Sequence, residues 1–116
     1  MTREFIELPE FLNRWYKNGL NDNDLCELEI YLCKYPDKGV LIKDTGGLRK
    51  IRWKRENKGK SGGIRVLYVD FLCFGKIYLI SVYAKSDRAN ITDSEKKEIK
   101  KLIDLLKNQL ERKEGK

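Results

Sequence analysis

The chain has 116 residues, of which 41% are hydrophobic and 37% are charged, and it carries a formal net charge of +7. This length fits one small domain over residues 1–116, and it excludes two domains of ordinary size. No apolar run approaches the roughly 20 residues that cross a bilayer, and residues 1–10 hold no hydrophobic signal core. We therefore expect a folded protein that stays in the cytoplasm.

Histidine is absent, and the three cysteines, Cys26, Cys33 and Cys73, lack the paired short spacing of a zinc site. The missing histidines remove the usual general base near neutral pH and the commonest metal ligand. The cysteines lie within apolar patterns, so we expect buried, reduced thiols instead of disulfides. The sequence predicts no metal and no other cofactor, and any catalysis has to rely on lysine, arginine, tyrosine or a carboxylate.

Two helices are predicted to follow a short first strand. Residues 3–8 alternate weakly, which predicts the strand, and Pro9 suits the first turn of a helix. The second helix begins at the polar residues 21–24, whose side chains can accept free backbone N–H groups, and Pro36 stops it. The stretch of residues 37–47 contains three glycines and predicts a loop with tight turns.

From Leu48 the apolar period changes to two, which predicts β-strands. Residues 55–63 form a basic, glycine-rich connection, and residues 64–71 and 76–83 predict two further strands joined by a short turn. In the strand that begins at Leu48, the apolar residues alternate with cations. The alternation places three cations on one open face, namely Lys50, Arg52 and Lys54.

A capping-box pattern at residues 92–95 begins the last predicted helix, and apolar residues continue at helical spacing from Ile99 to Leu110. The elements then follow the order β-α-α-β-β-β-α, without internal repeats. We predict an α+β fold in which an antiparallel sheet packs against helices.

The positive charge is concentrated in residues 43–65. This stretch holds nine cationic and two acidic side chains, so its net charge of +7 equals that of the whole chain. Such a cluster favours a polyanion, because neutralising phosphates releases condensed counterions. Nucleic acid is therefore the first partner to consider. The cations expected to contact RNA, apart from those with a predicted catalytic role, are Arg49, Lys54, Arg55, Lys58 and Lys60.

Short motifs in the chain closely resemble those of the RelE/HigB toxins of bacterial type II toxin-antitoxin systems, and most of all the HigB branch with the TGGLRK signature. The resemblance covers roughly residues 3–110. Its motifs are Pro36-x-x-Gly39, Thr45-Gly46-Gly47-Leu48-Arg49-Lys50-Ile51-Arg52, Gly59-Lys60-x-Gly62-Gly63-x-Arg65-Val66-x-Tyr68, Tyr78-Leu79 and Tyr83-x-Lys85.

The resemblance implies a compact microbial RNase fold that cleaves mRNA in the ribosomal A site. It also implies a cognate antitoxin, usually a helix-turn-helix protein, that neutralises the toxin. RNA cleavage through the 2′-hydroxyl requires removal of a proton, stabilisation of the charge on the phosphoryl oxygens and protonation of the leaving 5′-oxygen. Arginine and lysine can perform the last two tasks directly.

Candidate roles follow for five residues. Lys50 is the best candidate base because neighbouring cations crowd it along the chain, and a lysine crowded by positive charge gives up its proton more readily. Arg65 is expected to clamp the phosphate through its planar set of donors, and Lys85 to act as the acid or a second phosphate contact. The resemblance also places Arg52 on a functional position. Several relatives carry a base-stacking tyrosine in the region of residues 88–92 that this chain lacks, and Tyr83 could supply that surface.

The same cations are also compatible with purely structural roles. Lys50 and Arg52 could form an ordinary solvated sheet face, and Arg65 could form a structural salt bridge with Asp70 or Glu56. The whole chain could be a non-catalytic RNA- or ribosome-binding module, or a ParE-like poison of DNA gyrase built on the same fold.

Overall fold

A five-stranded sheet with helices on both sides makes up the described part of the chain. The computed structural model describes residues 2–54, 63–88 and 90–115. The strands are β1 (Glu4–Glu7), β2 (Val40–Leu41), β3 (Leu48–Trp53), β4 (Ile64–Phe71) and β5 (Lys76–Ala84). The helices are α1 (Pro9–Lys17), α2 (Asp22–Lys34) and α3 (Asp93–Gly115), and a single 3-10 turn spans Leu72–Phe74. The predicted α+β class is confirmed.

The strands lie in the order β1-β5-β4-β3-β2. All neighbouring pairs are antiparallel except β1 and β5, which are parallel. The sheet is therefore mixed, and the prediction of a purely antiparallel sheet is wrong at this edge, because alternation along a strand does not reveal its partner. The two-residue strand β2 was missed as well, since it lies inside the glycine-containing loop.

The two faces of the sheet are covered by different helices. Buried residues of α1 and α2 pack with Ile51, Ile64 and Val66 and with other side chains on one face. Buried residues of α3 pack with Leu48, Leu67 and further side chains on the other. This arrangement follows from the period-two alternation of β3, β4 and β5, which supplies apolar side chains to both faces. The result is a three-layer domain with a core on each side of the sheet.

Two helices begin with a capping box, one at the polar residues 21–24 and one at the predicted box of residues 92–95. At α2, Asn21 Oδ1 accepts from the Asp24 N–H at 2.9 Å, and Asp24 Oδ2 accepts from the Asn21 N–H at 2.8 Å. At α3, Thr92 and Glu95 exchange the corresponding bonds at 3.1 and 2.8 Å. These side chains satisfy backbone donors that a helix leaves unpaired at its start. None of the helices in the described ranges combines the length and apolar character needed to cross a membrane.

The cysteines differ from the sequence expectation in their burial. Cys26 and Cys73 are exposed, and Cys33 is half-buried. The prediction of buried thiols is therefore wrong for Cys26, which lies on the solvent side of α2, and for Cys73, which lies in the 3-10 turn. No disulfide joins any of the three.

A buried tyrosine forms two hydrogen bonds to the backbone of the loop between α2 and β3. The hydroxyl of Tyr68 accepts from the Gly39 N–H and donates to the Pro36 carbonyl, both at 2.9 Å. A Cβ at Gly39 would lie 2.7 Å from that hydroxyl oxygen, so a side chain there would displace the ring. Burial raises the pKa of Tyr68. These contacts explain why proline, glycine and tyrosine occur together in the motifs.

Replacing Tyr68 with phenylalanine tests this attachment. Tyr68→Phe leaves a buried backbone N–H without its acceptor, so we expect the free energy of unfolding to fall by about 1–3 kcal/mol. The measurement is urea denaturation. The control is Tyr16→Phe, because the exposed Tyr16 hydroxyl donates only to the Asp22 side chain. The control should change stability by less than about 0.5 kcal/mol, and equal losses in both variants would contradict the argument.

A pair of carboxyl groups links β1 to α2. Glu29 forms a side-chain hydrogen bond with Glu7, and its Oε2 atom is buried without a hydrogen-bond partner among the described residues. Burial and, after it, the contact with Glu7 raise the pKa of Glu29 to about 8. The folded protein therefore holds a proton on this pair at a pH where a free glutamate has lost it.

The protonated pair makes stability depend on pH. Between the ordinary glutamate pKa of 4.5 and about 8, the folded state binds more protons than the unfolded state. Its contribution is thus complete below pH 4.5 and is lost as the pH rises toward 8. We expect Glu29→Gln, which keeps a neutral hydrogen-bonding group, to flatten the fall of the melting temperature over this range. Glu27→Gln, at an exposed position on the same helix, should leave the wild-type slope unchanged.

Candidate nucleic-acid interface

Two arginines face each other on neighbouring strands. Arg52 on β3 pairs in register with Arg65 on β4, which pairs in turn with Tyr83 on β5. Residues paired in this way point to the same face of a sheet, and Lys50, two positions before Arg52, shares that face. Lys50, Arg52 and Arg65 form what we call the cation site. The alternation predicted for β3 therefore holds, and it brings three of the predicted catalytic residues together.

Arg65 lies in the middle of this arrangement and is half-buried. Its Nη1 atom is buried and has no hydrogen-bond partner within the part of the chain that the structure describes. Asp70, one of the two proposed salt-bridge partners, instead binds Arg3 at 2.8 and 3.2 Å, so that alternative is wrong. The other, Glu56, lies outside the described residues. A buried guanidinium N–H without an acceptor is costly, and a phosphate oxygen would satisfy it.

Lys50 is held by a residue of the connection between β5 and α3. Its Nζ donates to Asn90 Oδ1 at 3.1 Å. This bond spans 40 positions in the sequence, and it fixes the ammonium group on the face that carries Arg65. Sequence reasoning missed Asn90, because no local pattern relates a strand lysine to an asparagine so distant along the chain.

Tyr83 lies beneath the same surface and is only 4% exposed. The guanidinium of Arg88 lies over its ring at 4.9 Å from the centroid, and Glu95 accepts from Arg88 Nη1 through both carboxylate oxygens at 2.8 Å. Burial raises the pKa of Tyr83, and the charge of Arg65 opposes that shift. The ring therefore offers no open face to a base in this structure, which contradicts the expectation of a stacking surface at Tyr83.

Glu95 has two partners at this position. Its Oε1 accepts from the Thr92 N–H and also from Arg88. The hydrogen bond with the Thr92 backbone, followed by the contact with Arg88, lowers the pKa of Glu95. The sequence predicted the capping box but not the ion pair between Arg88 and Glu95, because that contact depends on the fold of the loop after β5.

Lys85 follows β5 directly and is exposed. Its backbone N–H donates to the carbonyl of Gly63 at 3.3 Å, and Gly63 lies two residues before Arg65. Lys85 therefore lies at the end of the sheet where β4 begins. Gly63 has a φ of +76°, and a Cβ there would lie 2.5 Å from the Trp53 carbonyl oxygen. Only glycine fits this entry into β4.

The other predicted RNA contacts have different positions. Arg49 points to the face opposite Lys50, where its Nη1 donates to the carbonyl oxygens of Asp37 at 3.1 Å and Gly39 at 2.6 Å. It therefore holds the loop, and the structure does not bring it to the cation site. Lys54 is exposed just after β3. The remaining three residues of that prediction, Arg55, Lys58 and Lys60, lie outside the described residues. Across the described ranges, no group of three or more cysteine or acidic side chains could hold a metal ion.

Comparison with known proteins identifies the class of this protein. A family model described as the RelE toxin of the RelE/RelB toxin-antitoxin system matches residues 8–114. The chain is thus a toxin-type protein, and it belongs to the RelE toxin family. Membership implies an antitoxin partner, and the members are generally endoribonucleases that target mRNA at the ribosome.

A solved structure supports the fold. The chain is similar to a mutant of the E. coli toxin RelE in the free state, with a TM-score of 0.55 and 17% sequence identity. The similarity covers 75% of this chain and 87% of that chain. At this level of identity the likeness shows a shared fold. The narrower HigB assignment stays a prediction.

The cation site should reduce the stability of the fold. Like charges that lie directly opposite on neighbouring strands are destabilising, so we expect Arg65→Met to raise the free energy of unfolding by roughly 0.2–1 kcal/mol at low salt. Arg3→Met is the control, because Arg3 is a nearly buried arginine with a carboxylate partner. It should lower stability by leaving Asp70 unpaired. Thermal unfolding measures both, and destabilisation by Arg65→Met would show that Arg65 has a structural partner.

Proposed function

We propose that this chain is a ribosome-dependent endoribonuclease that cleaves mRNA in the A site and thereby inhibits translation. The observation that supports this proposal most is the cation site, where Lys50, Arg52 and Arg65 share one face and a buried guanidinium nitrogen has no partner in the described ranges. Membership in the RelE toxin family supports the same reaction class. The protein would act in the cytoplasm, where the ribosomes are.

The proposed reaction is attack of the ribose 2′-oxygen on the adjacent phosphorus. The bond from phosphorus to the 5′-oxygen breaks, which leaves a 2′,3′-cyclic phosphate and a 5′-hydroxyl. Lys50 takes the proton from the 2′-hydroxyl, and Lys85 gives one to the leaving 5′-oxygen. Arg65 and Arg52 bind the phosphoryl oxygens, where their donors stabilise the charge that develops in the transition state.

Tyr83 has a supporting role in this proposal. Its ring is buried beneath Arg88 and lies in register with Arg65. A buried aromatic ring at this position excludes water from one side of the Arg65 guanidinium, and electrostatic interactions strengthen where water is excluded. Tyr83 therefore supports the phosphate contact of Arg65 and does not stack on a base.

A weak set of acid and base groups explains the proposed dependence on the ribosome. The chain has no histidine, so proton transfer depends on lysines. An enzyme with such groups gains most of its rate when the attacking oxygen, the phosphorus and the leaving oxygen are held in line. The ribosomal A site would provide that positioning. We further propose that the antitoxin is a helix-turn-helix protein, encoded in the reading frame next to that of the toxin.

The proposal is tested in a translating cell-free lysate. The wild type should cleave the translated mRNA, whereas Lys50→Ala and Arg65→Ala should lower the cleavage rate by about 100-fold or more, because each removes a group that acts in the transition state. Lys107→Ala and Arg112→Ala remove exposed cations of α3, and they should retain the wild-type rate. Primer extension on the mRNA measures cleavage and its position.

Two results would replace this function with another. Intact mRNA together with inhibition of DNA gyrase by the wild type would support the ParE-like alternative. Binding of the wild type to ribosomes without cleavage would support a non-catalytic module. Equal loss of cleavage in the controls and in the two site variants would show that overall charge, and not the cation site, is what matters.

A further inference from the structure

A second feature lies beside the cation site, on the outer edge of β3. A groove of about 560 Å³ runs between this edge and α2, and its volume is in the range of small-molecule binding sites. The strand β2 pairs only with Arg49 and Lys50 of β3. Among the described residues, the rest of that edge has no neighbouring strand. Its aromatic and cationic lining residues are Tyr31, Lys38, Lys50, Arg52, Trp53 and Lys54.

Three aromatic rings follow one another along this groove and the adjoining end of α2. The ring of Trp53 lies 5.4 Å from that of Tyr31 at an interplanar angle of 59°, and Tyr31 lies 5.0 Å from Tyr35. Trp53 and Tyr31 are half-buried, and Tyr35 is 47% exposed. The Nζ of Lys38 lies 5.7 Å from the centre of the Tyr35 ring. Rings with an exposed edge or face are the surfaces on which unpaired bases stack.

The charge of the groove matches a nucleic acid. Four cationic residues line it, against the two acidic residues Asp24 and Glu27, so its net charge is positive. One of these carboxylates, that of Asp24, is already bound to the backbone N–H of Asn21. Cations that alternate with aromatic rings bind single-stranded nucleic acid through the phosphates and the bases together.

The groove is continuous with the cation site. Lys50 and Arg52 line the groove, and their side chains leave the edge strand on the face that carries Arg65. Trp53 leaves it on the face covered by α1 and α2. Only the width of one strand, about 5 Å, separates the groove from the row that contains Arg65. An RNA strand with one phosphate at Arg65 therefore has its neighbouring nucleotide at the edge of β3.

We propose that this groove binds the base of an mRNA nucleotide next to the scissile phosphate, stacked against Tyr31 and Trp53, with its phosphate held by Lys54. This assignment rests on the proposed function, because it places the same RNA strand in both sites. The groove then replaces the stacking surface that Tyr83 does not offer. A peptide strand added to the open edge of β3 is the competing occupant, and the shared cations and the row of rings favour RNA over it.

The two tryptophans of the chain provide a built-in comparison. Trp15 is fully buried, stacks on Phe11 at 5.3 Å, and donates to the Asn21 carbonyl. Trp53 lines the groove. A single-stranded RNA of about eight nucleotides, with 2′-O-methyl riboses so that no 2′-hydroxyl can attack, should quench the emission of Trp53 in the wild type. In Trp53→Phe, which keeps a ring, the remaining Trp15 emission should not respond.

Affinity measurements complete the test. In Tyr31→Leu, the loss of one stacked base should weaken binding of the same RNA roughly 5- to 150-fold. Fluorescence anisotropy of the labelled RNA measures this affinity. The control Tyr16→Leu removes a tyrosine that is 48% exposed on α1 and outside the groove, and it should bind as the wild type does. Because Tyr31→Leu could impair folding, Lys54→Gln provides a second variant that touches only an exposed cation, and it should weaken binding and lower its salt dependence.

Several outcomes would overturn the assignment. These are RNA that binds without changing the emission of Trp53, an RNA that does not bind the free protein at all, and equal losses in Tyr16→Leu and Tyr31→Leu. A loss of antitoxin binding with unchanged RNA binding would make the groove a protein-docking site. Weaker binding of Tyr31→Leu to ribosomes without mRNA would assign it to ribosomal RNA. Failure of the nuclease proposal is distinguishable, since RNA would then quench Trp53 while the wild type left translated mRNA intact.

Discussion

The opposition of Arg52 and Arg65 across β3 and β4 is the constraint on which the surface of this protein depends. The register of the two strands fixes it, and that register is set by the apolar residues between the cations, Ile51, Ile64 and Val66, which are buried under α1 and α2. Burial of one face thus forces two like charges together on the other. A slip of one residue would turn every side chain of β3 to the opposite face and would remove both the core and the cation site.

The sequence was sufficient for the α+β class and for the cations of β3. Alternation placed Lys50 and Arg52 on one face, and the polar and proline boundaries located the helices, because both kinds of pattern report local geometry. The parallel pairing of β1 with β5 and the short strand β2 could not be predicted, since each depends on contacts between segments distant along the chain. The exposure of Cys26 and Cys73 was not predicted either, because apolar neighbours in the sequence do not determine which side of an element faces solvent.

The environment of each site residue was harder to predict than its position. Lys50 was expected to be surrounded by cations, yet its direct contact is the amide oxygen of Asn90. Tyr83 was expected to be open to a base, yet Arg88 covers it. Arg49 belongs to the same run of basic residues, but it binds two loop carbonyls on the opposite face. In each case the partner comes from a loop, and loops lack the periodicity from which faces are inferred.

Glu95 gives these loop contacts a wider meaning. One carboxylate both completes the first turn of α3 and anchors the arginine that shields Tyr83. The beginning of the helix and the cover of the aromatic ring are therefore mechanically coupled through a single side chain. Replacing Glu95 would therefore remove both contacts at once, so the first turn of α3 and the arginine over Tyr83 would respond together to a single substitution.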